Sequence, residues 1–399
     1  MKRFFIASIC LLFWQFLSAQ IPRTLYVVNG LAETLTKINL ETNSVTNHIV
    51  TLGVVPNQIV VHRKMGYVVN SISSNIQIID LAGDSSVGVI NLGAGRNPWN
   101  MAVADSQTAY VTNFSANTLS KLDLLNKTLI GEFPVGQSPE GLTFHDGKLY
   151  ICITGFSPVN FTYGIGKIAV YDTTLDTVVS EIVVGKNPQA IHPDLNGNLQ
   201  VICTGDYSTA FGWVYTIDPQ TESVVDSTYL GGTPGPFGID WTGIALFAAG
   251  GYSTDGWVYA LDTEDDSILH DANNPLLVNL GAGDVTTDKY SRAYVSCFSA
   301  STIDVIDVLL DSVVSSFPVG DGPLSAALYD PKPDGDANGD QFLSLADIIT
   351  IVNLLFKSTP LPSGSSAYGD ANCDGRISLA DAIRLVNYLF KSGPLPCDF

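Results

Sequence analysis

Two segments near the C-terminal end of the chain place oxygen-bearing side chains at alternate positions. The first reads DANGDQFLSLAD over residues 336–347, and the second reads DANCDGRISLAD over residues 370–381. A hard cation such as Ca²⁺ takes about six to eight oxygen ligands. A loop of this length supplies them from positions 1, 3, 5, 7, 9 and 12, with position 7 using its backbone carbonyl. The two segments therefore predict two bound calcium ions.

The predicted ligands fall at the same positions in both copies. In the first copy they are Asp336, Asn338, Asp340, the carbonyl of Phe342, Ser344 and Asp347. In the second copy they are Asp370, Asn372, Asp374, the carbonyl of Arg376, Ser378 and Asp381. Position 6 makes a sharp turn that favours glycine. Because Gly375 fills this position in the second copy and Gln341 in the first, we expect the first site to bind calcium more weakly.

A helix is predicted directly after each loop. Ser344 and Ser378 precede Asp347 and Asp381 by three residues, which is the spacing of a capping box, and this role can coexist with calcium binding. Apolar residues then recur at helical spacing and predict a buried stripe on each helix. The stripe residues are Ile348, Ile351, Val352 and Leu355, then Ile383, Val386, Leu389 and Phe390.

This order of loop and helix, linker, and second loop and helix resembles a type I dockerin over residues 334–399. The resemblance implies two calcium ions, calcium-dependent folding and docking onto a cohesin module of another protein. Loop positions 10 and 11 often carry partner recognition in dockerins. Here they are Leu345 and Ala346, then Leu379 and Ala380, apolar where Ser-Thr is familiar. Because both copies match at these positions, either could dock, with the domain rotated by half a turn.

The part of the chain before this tail repeats a strand-rich unit seven times. Short runs of Val, Ile, Tyr and Thr alternate with turn residues, which is typical of β-strands. Each unit carries a strand of the type YVVN, a strand that ends on Asn or Asp, and a glycine turn usually followed by proline. The pattern predicts a mainly β fold, a seven-bladed β-propeller with four-stranded blades, followed by a small α-helical domain. We also expect a 3+1 closure, in which residues 323–330 complete the first blade and remove an exposed edge.

The sequence YVTN at residues 110–113 and the Val-Gly-x-x-Pro turns resemble the YVTN-type propeller family. That family includes surface-layer proteins and YncE-like secreted proteins, and it is distantly related to lactonase-type propellers. The resemblance implies the fold but leaves the function open, because propellers serve both binding and catalysis. The expected organisation is a propeller over residues 22–330 and a dockerin domain over residues 331–399.

A ligand face is predicted where the long crossings of units four to six meet the central channel. Long loops on a rigid scaffold concentrate binding residues, and exposed aromatic rings with a polar rim suit sugars or a protein partner. The candidate residues are Tyr207, Trp213, Tyr252 and Trp257 in the crossings, with Glu140 and Asp284 at the channel mouth. The alternative for both tryptophans is that they start strands and pack between blades.

Other recurring polar residues have structural interpretations. We expect the short polar residue that ends a strand in each unit to cap the following turn. These residues are Asn39, Asp80, Asp123, Asp172, Asp218, Asp262 and Asp307. His62, His145 and His192 form a metal trio only as a weaker alternative, because they lack the spacing of a metal site.

The five cysteines after residue 19 divide into two groups. Cys152, Cys203 and Cys297 lie in strands and are expected to be small buried side chains, with a Cys152–Cys203 bridge as the alternative. Cys373 and Cys397 lie in the tail, and we expect them to form a disulfide, which an exported protein permits.

The N-terminal segment has the features of an export signal. MKR supplies positive charge, FFIASICLLFWQF is apolar, and LSA offers small residues before Gln20. We expect residues 1–19 to be removed after Ala19 and the mature protein to be secreted, without a membrane span. The formal net charge of −20 argues against nucleic acid or an anionic membrane as a partner.

Three functional hypotheses remain open at this point. The first is a secreted binding or interaction protein that a calcium-dependent dockerin tethers to a cohesin-bearing extracellular complex or surface. The second is a polysaccharide- or lactone-hydrolysing enzyme delivered by the same tail, although the sequence singles out no catalytic set. The third is a tail that serves only as a structural calcium clip.

Overall fold

The computed structural model describes residues 22–340, 342–361, 366–372, 376–391, 393 and 396. Seven antiparallel sheets form the blades of a β-propeller, and a small helical domain follows them. Within each blade the strands run from the central channel outward. The predicted mainly β fold, with a seven-bladed propeller ahead of a small α domain, is confirmed.

The blades are numbered in chain order. Blade 1 contains β1 (Thr24–Asn29), β2 (Thr34–Asn39) and β3 (Ser44–Thr51), and blade 2 contains β4 (Pro56–His62), β5 (Met65–Asn70), β6 (Asn75–Asp80) and β7 (Ser85–Asn91). Blade 3 contains β8 (Pro98–Val103), β9 (Thr108–Asn113), β10 (Thr118–Asp123) and β11 (Thr128–Pro134). Blade 4 contains β12 (Pro139–His145), β13 (Lys148–Ile153), β16 (Lys167–Asp172) and β17 (Thr177–Val183), with the hairpin β14 (Phe156–Ser157) and β15 (Thr162–Tyr163) in its crossing.

Blades 5 to 7 follow the same order. Blade 5 contains β18 (Pro188–Pro193), β19 (Leu199–Cys203), β20 (Trp213–Asp218) and β21 (Ser223–Tyr229). Blade 6 contains β22 (Phe237–Ile239), β23 (Ile244–Ala248), β24 (Gly256–Asp262), β25 (Ile268–His270) and β26 (Leu276–Val278). Blade 7 contains β27 (Ala282–Thr287), β28 (Arg292–Cys297), β29 (Thr302–Asp307) and β30 (Ser312–Pro318), and β31 (Pro323–Tyr329) returns to blade 1.

The ring closes through the last strand of the propeller. β31 pairs antiparallel with β1, with Thr24 opposite Tyr329 and Val27 opposite Ala326. The first blade thus takes its innermost strand from the C-terminal end and its other three strands from the N-terminal end. This confirms the 3+1 closure, which leaves no open edge between the two ends of the ring.

The polar residue that ends the third strand of each blade caps the following turn. In blade 2, for example, Oδ1 of Asp80 accepts a hydrogen bond from the backbone N–H of Ala82 at 3.0 Å. The same bond, to the N–H two or three residues later, is made by Asn39, Asp123, Asp172, Asp218, Asp262 and Asp307. The sevenfold acidic pattern is therefore structural, as expected.

Apolar side chains fill the space between neighbouring blades. Tyr26 and Val28 of blade 1, for instance, pack with Val68 and Ile79 of blade 2. The repeated tyrosine of the YVVN-type strand also satisfies its hydroxyl across this boundary, since Tyr26 donates to the carbonyl of Leu81 at 3.3 Å. Tyr150 makes the equivalent bond to the carbonyl of Pro219 in the next blade, so the repeated tyrosine contributes to the contact between blades.

Two helices form the tail domain, α1 (Leu345–Lys357) and α2 (Leu379–Lys391), with a short 3₁₀ helix at Ser366–Gly369. Ile348 and Ile351 are buried as predicted. The predicted stripe of α2 is wrong at two positions, because Ile383 and Phe390 are 52% and 63% exposed. Ala382 and Leu385 occupy the buried positions instead. Val352, Leu355, Val386 and Leu389 are partly buried against the same core.

The tail domain packs against the propeller at the turn between β27 and β28. The rings of Tyr290 in this turn and Tyr368 in the 3₁₀ helix meet edge to face with centroids 5.9 Å apart. Lys332 donates to the hydroxyl of Tyr290 at 2.9 Å, and the hydroxyl of Tyr368 contacts the carboxylate of Asp330. This turn follows the end of an inner strand, so the tail domain lies toward the end of the channel where the inner strands finish.

Across the residues that the structure describes, no helix is long and apolar enough to cross a membrane.

Candidate functional site

Each predicted calcium loop is closed by a hydrogen bond between its positions 3 and 12. The backbone N–H of Asn338 donates to Oδ1 of Asp347 at 3.1 Å, and the N–H of Asn372 donates to Oδ1 of Asp381 at the same distance. Asp336, Asp347 and Asp381 are fully buried and Asp370 is nearly so. The two loops therefore share one geometry in the parts that can be compared.

The first loop also folds around its leading carboxylate. Oδ1 of Asp336 accepts hydrogen bonds from the N–H groups of Gly339 and Asp340 at 2.8 and 3.0 Å. The carboxylate of Asp340 accepts from the N–H of Phe342 at 2.9 Å. The backbone thus encloses the carboxylate of Asp336, whereas Asp340 is exposed.

The last ligand position also belongs to the cap of the helix. Ser344 is the N-cap of α1, its hydroxyl accepts from the N–H of Ala346 at 3.1 Å, and its own N–H donates to Asp347 at 2.8 Å. Ser378 makes the corresponding bonds to Ala380 and Asp381. The expected capping geometry is confirmed for both serines. A carboxylate offers about four lone-pair positions, so these bonds leave acceptor capacity for a cation.

The donor set of the first loop fits a calcium ion. Carboxylates, an amide, a hydroxyl and a carbonyl are the hard oxygen ligands that Ca²⁺ prefers. Asp336 and Asp347 lie fully buried in one loop, and a divalent cation would offset the repulsion between them. Within the described residues, no three Asp, Glu, His or Cys side chains form a metal cluster by themselves, so the amide, hydroxyl and carbonyl donors are needed as well.

Several predicted tail residues lie outside the described residues. They are Gln341, Cys373, Asp374, Gly375 and Cys397. The Cys373–Cys397 disulfide, the ligand Asp374 and the contrast between Gln341 and Gly375 therefore stay predictions.

The two helices expose the same apolar residues at equivalent positions, 34 residues apart in the chain. Leu345 and Leu379 are 54% and 52% exposed, and the alanine after each is exposed as well. Farther along the helices, Ile349 matches Ile383 and Phe356 matches Phe390, all exposed. Each helix thus presents a stripe of uncovered apolar side chains, which we call the paired stripes.

On the propeller, the predicted aromatic crossings come to the surface around the start of the inner strands. Tyr207 and Tyr252 are 54% and 71% exposed. Tyr207 has a left-handed backbone (φ 61°) in a turn that Asp206 organises by accepting from the N–H groups of Ser208, Thr209 and Ala210.

The two predicted tryptophans are placed differently from the tyrosines. Trp213 begins β20 and Trp257 lies at the start of β24. The ring of Trp213 contacts Tyr229 on the neighbouring strand of its own blade, with centroids 5.1 Å apart. Each tryptophan is 37% exposed. Both tryptophans start strands, as the alternative expected. The ring contacts of Trp213 lie within its own blade, so packing between blades stays a prediction.

Sequence reasoning missed an arc of aromatic rings that crosses three blades. Adjacent centroids are 5.4 Å apart between Trp99 and Phe114, 5.9 Å between Phe114 and Phe156, 5.2 Å between Phe156 and Tyr163, and 6.0 Å between Tyr163 and Tyr207. We call these five residues the aromatic arc. The available signals were the aromatic residues directly after Pro98 and after the YVTN strand.

A cavity of about 690 Å³ occupies the central channel and is lined by all seven inner strands. Its acidic lining residues are Asp105, Glu140 and Asp284, and the described lining contains no lysine or arginine. We call the end where the inner strands begin the channel mouth. Glu140 lies there on blade 4 and Asp284 on blade 7, as predicted.

The two predicted carboxyl groups differ in their surroundings. Asp284 accepts a hydrogen bond from the N–H of Ala326 at 3.4 Å, and burial raises the pKa of Asp284 to about 6. Glu140 is only 5% exposed, and its carboxyl group makes no hydrogen bond or ion pair to any described residue. Burial alone raises the pKa of Glu140 to about 8.

The histidines and cysteines of the propeller take structural positions. His62 and His192 line the channel, and the ring of His192 meets Phe237 edge to face at 4.8 Å, where burial lowers the pKa of His192 to about 4. His145 is not part of the lining, so the alternative of a metal trio is not supported. Cys152, Cys203 and Cys297 are buried free thiols, as the first interpretation expected.

These features define a class: a seven-bladed β-propeller that carries a dockerin type I domain. Residues 334–390 match the protein family described as the dockerin type I domain. No curated protein matches the chain. The narrower YVTN resemblance of the propeller stays a prediction.

Solved structures share the propeller fold at low sequence identity. Kuenenia stuttgartiensis hydrazine synthase is 17% identical, with 68% of this chain and 88% of that chain covered and a TM-score of 0.58. A functionally unknown protein from Desulfotomaculum acetoxidans DSM 771 is 14% identical, with 77% and 99% covered and a TM-score of 0.58. A putative 6-phosphogluconolactonase from Bacteroides fragilis NCTC 9343 is 10% identical, with 78% and 98% covered and a TM-score of 0.58. These likenesses establish the fold alone.

Proposed function

We propose that this chain is an exported propeller that its dockerin domain attaches, in a calcium-dependent manner, to a cohesin module of another protein. The observation that carries the proposal is the duplicated unit in the tail. Each copy joins a closed acidic loop to a helix with the same exposed apolar residues. A structural clip would need the loops but not the paired stripes.

Calcium would act as a structural ligand in this domain. Asp336, Asn338, Asp340, Ser344 and Asp347 would hold the first ion, together with the carbonyl of Phe342. The corresponding residues of the second loop would hold the second ion. A bound ion supplies charge neutralisation and ties the loop to the start of its helix. Because the loop ends on the first turn of α1 or α2, the ion stabilises the helix that bears the stripe.

The paired stripes would be the cohesin-docking face. An uncovered apolar stripe at the start of a helix marks an interaction surface, since exposed apolar area is costly in water. Leu345 with Ala346 and Leu379 with Ala380 would make the central contacts. Their equivalent exposure supports docking through either copy.

Export is part of the same proposal. The segment over residues 1–19 supports it, with a basic start, an apolar run and small residues before Gln20. A cohesin-bearing partner outside the cell requires this location. The acidic net charge fits a soluble exported protein.

The propeller would serve as the binding module that the dockerin positions. The tail domain contacts the turn between β27 and β28, at the end of the inner strands. The channel mouth lies where those strands begin. Attachment through the dockerin therefore leaves the channel mouth and the aromatic arc accessible.

The test is capture of the full chain by a panel of recombinant type I cohesin modules, in calcium and in EGTA. Capture by at least one cohesin in calcium alone is the expected result. If calcium raises the melting temperature of the chain but every cohesin fails to capture it, the tail is a structural clip and the docking proposal is wrong.

A further inference from the structure

Glu140 occupies an unusual place at the channel mouth. It lies in a bulge of β12, where the pairing with β13 shifts between Pro139 and Leu142. The side chain faces the cavity and is 5% exposed, and its carboxyl group has no hydrogen-bond or ion-pair partner among the described residues. The carboxyl oxygens are not fully enclosed and open toward the cavity, where the protein supplies them no partner, and a mostly buried carboxylate without a partner is costly. Such a group points to a ligand that supplies the missing partner.

From this geometry we propose that the channel mouth binds a small organic cation, an ammonium group carried on an aromatic or alkyl body, with Glu140 as its counter-ion. The inference concerns the propeller alone and does not depend on cohesin docking.

Aromatic and amide groups flank Glu140 on both sides. Trp99 and Gln189 occupy the same position as Glu140, one residue after the proline, on the neighbouring inner strands β8 and β18. Nε2 of Gln189 donates to the hydroxyl of Tyr207 at 3.1 Å, which fixes the tyrosine beside the opening. Aromatic faces attract cations, and the attraction grows when water is excluded. The aromatic arc therefore complements the carboxyl group for an organic cation.

The charge of the channel favours a cation as well. Its described lining includes three acidic residues and no lysine or arginine, and the chain carries a net charge of −20. Such a field attracts positive ligands and repels anions. The titratable groups that interact with Glu140 are Tyr163, Tyr207 and Cys152. Burial raises the pKa of each, so they stay neutral, and neither a phenol nor a thiol can carry a positive charge.

A metal ion fits this place less well than an ammonium group. A divalent cation requires several hard ligands close together. Each tail loop holds two buried aspartates, whereas burial is the only influence on Glu140 and no second carboxylate acts on it. An ammonium group needs one carboxylate, a few hydrogen-bond acceptors and an apolar wall. Glu140, Gln189 and Trp99 supply these features.

Binding of the ammonium ligand should also release the proton of Glu140, and this release can be measured. Because burial raises the pKa of Glu140 to about 8, the free protein holds this carboxyl group mostly protonated at neutral pH. An ammonium ligand favours the ionised form, so Glu140 gives its proton to the solvent and a charge pair forms. Calorimetry in two buffers of different ionisation enthalpy should detect this released proton.

The decisive experiment is calorimetric titration of the full chain, in saturating calcium, with 2-phenylethylammonium and with its neutral analogue 2-phenylethanol. We expect saturable one-to-one binding of the ammonium, about tenfold or more tighter than the alcohol. Glu140→Gln should lose at least about tenfold in affinity, and Tyr207→Ala should lose several-fold. The matched control Glu41→Gln, on an exposed turn of blade 1, should bind as the parent does.

Three results of the calorimetric titration, and a fourth with Mn²⁺, would overturn the inference. The three are equal affinity for the ammonium and the alcohol, no detectable ammonium binding by the folded parent, and unchanged affinity in Glu140→Gln. Thermal unfolding checks that the variant is folded. If Glu140→Gln does not fold, Tyr207→Ala decides the question, because this half-exposed side chain can be shortened without opening the core. If Mn²⁺ binds and its binding depends on Glu140, the site is a metal site rather than an ammonium site, and the proposal is likewise refuted.

Discussion

The backbone N–H of Asn338 donates a hydrogen bond to the carboxylate of Asp347 at 3.1 Å. This bond connects position 3 of the first predicted calcium loop to its last position. The same bond recurs between Asn372 and Asp381. In each copy the accepting aspartate also lies in the first turn of the following helix. The geometry of the loop and the direction of the exposed helix stripe are therefore set by one side chain.

The first prediction concerns the number of calcium ions. Asp347→Asn keeps an oxygen at the end of the loop but removes the charge that a cation needs, so the bound calcium should fall from two ions to one. Calorimetric titration with calcium measures this stoichiometry. Asp255→Asn, an exposed change on the propeller, is the matched control and should leave two ions. Two ions bound by Asp347→Asn would contradict the ligand assignment.

The second prediction concerns the difference between the two loops. The first loop has Gln341 where the second has Gly375, and a side chain in a left-handed turn costs about 1 kcal/mol. Calorimetry should therefore resolve two unequal calcium affinities. Gln341→Gly should strengthen the weaker site by about fivefold. A first site that is already the tighter one, or a variant without effect, would show that position 341 does not limit binding.

The third prediction concerns docking through either helix. Leu345→Asp and Leu379→Asp each place a charge in one of the paired stripes and leave the other intact. Each single variant should therefore still bind cohesin, with an affinity only a few-fold lower. The double variant should lose about a hundredfold or more, because no intact stripe remains. Surface plasmon resonance on immobilised cohesin measures the affinities. Leu309→Asp, at a 72% exposed position of the propeller, should match the parent.

A large loss in only one of the single variants would show that one helix alone docks. That result would keep the dockerin function but refute the duplicated face.

The fourth prediction concerns stability against pH. Between about pH 4.5 and about pH 8 the folded protein keeps Glu140 protonated while the unfolded chain releases the proton, so stability falls as the pH rises through this window. Glu140→Gln cannot ionise and does not lose stability in this way. The free energy of unfolding of the variant, relative to that of the parent, should therefore rise by about 4 kcal/mol from the lower to the upper pH. Denaturant unfolding at both pH values measures the difference. A constant difference across the window would mean that the carboxyl group is not isolated.

The fold was predictable because every blade needs similar residues at equivalent positions, so the sequence repeats with the blades. A capping Asp or Asn and a glycine turn are local needs, so they appear in the sequence once per blade, and the inter-blade tyrosine appears in five of the seven blades. Glu140 was recognised because it follows the repeated glycine turn, and Tyr207 because it lies in one of the long crossings. The tail loops were readable because calcium ligands occupy fixed positions.

The parts that the sequence did not reveal depend on how separate elements meet. Phe114 and Phe156 belong to different blades and form one arc only after the ring closes. The isolation of Glu140 depends on the lining from all seven inner strands. In α2 the periodicity allowed two neighbouring stripes, and packing against the first helix selected Ala382 and Leu385 over Ile383.

The most direct test of the account is cohesin capture by the parent chain and by the Asp347→Asn/Asp381→Asn double variant, measured in calcium and after addition of EGTA. The account predicts capture by the parent in calcium, release in EGTA, and no capture of the double variant under either condition. Capture that persists in EGTA, or in the double variant, would contradict the claim that two calcium loops hold the docking helices in place.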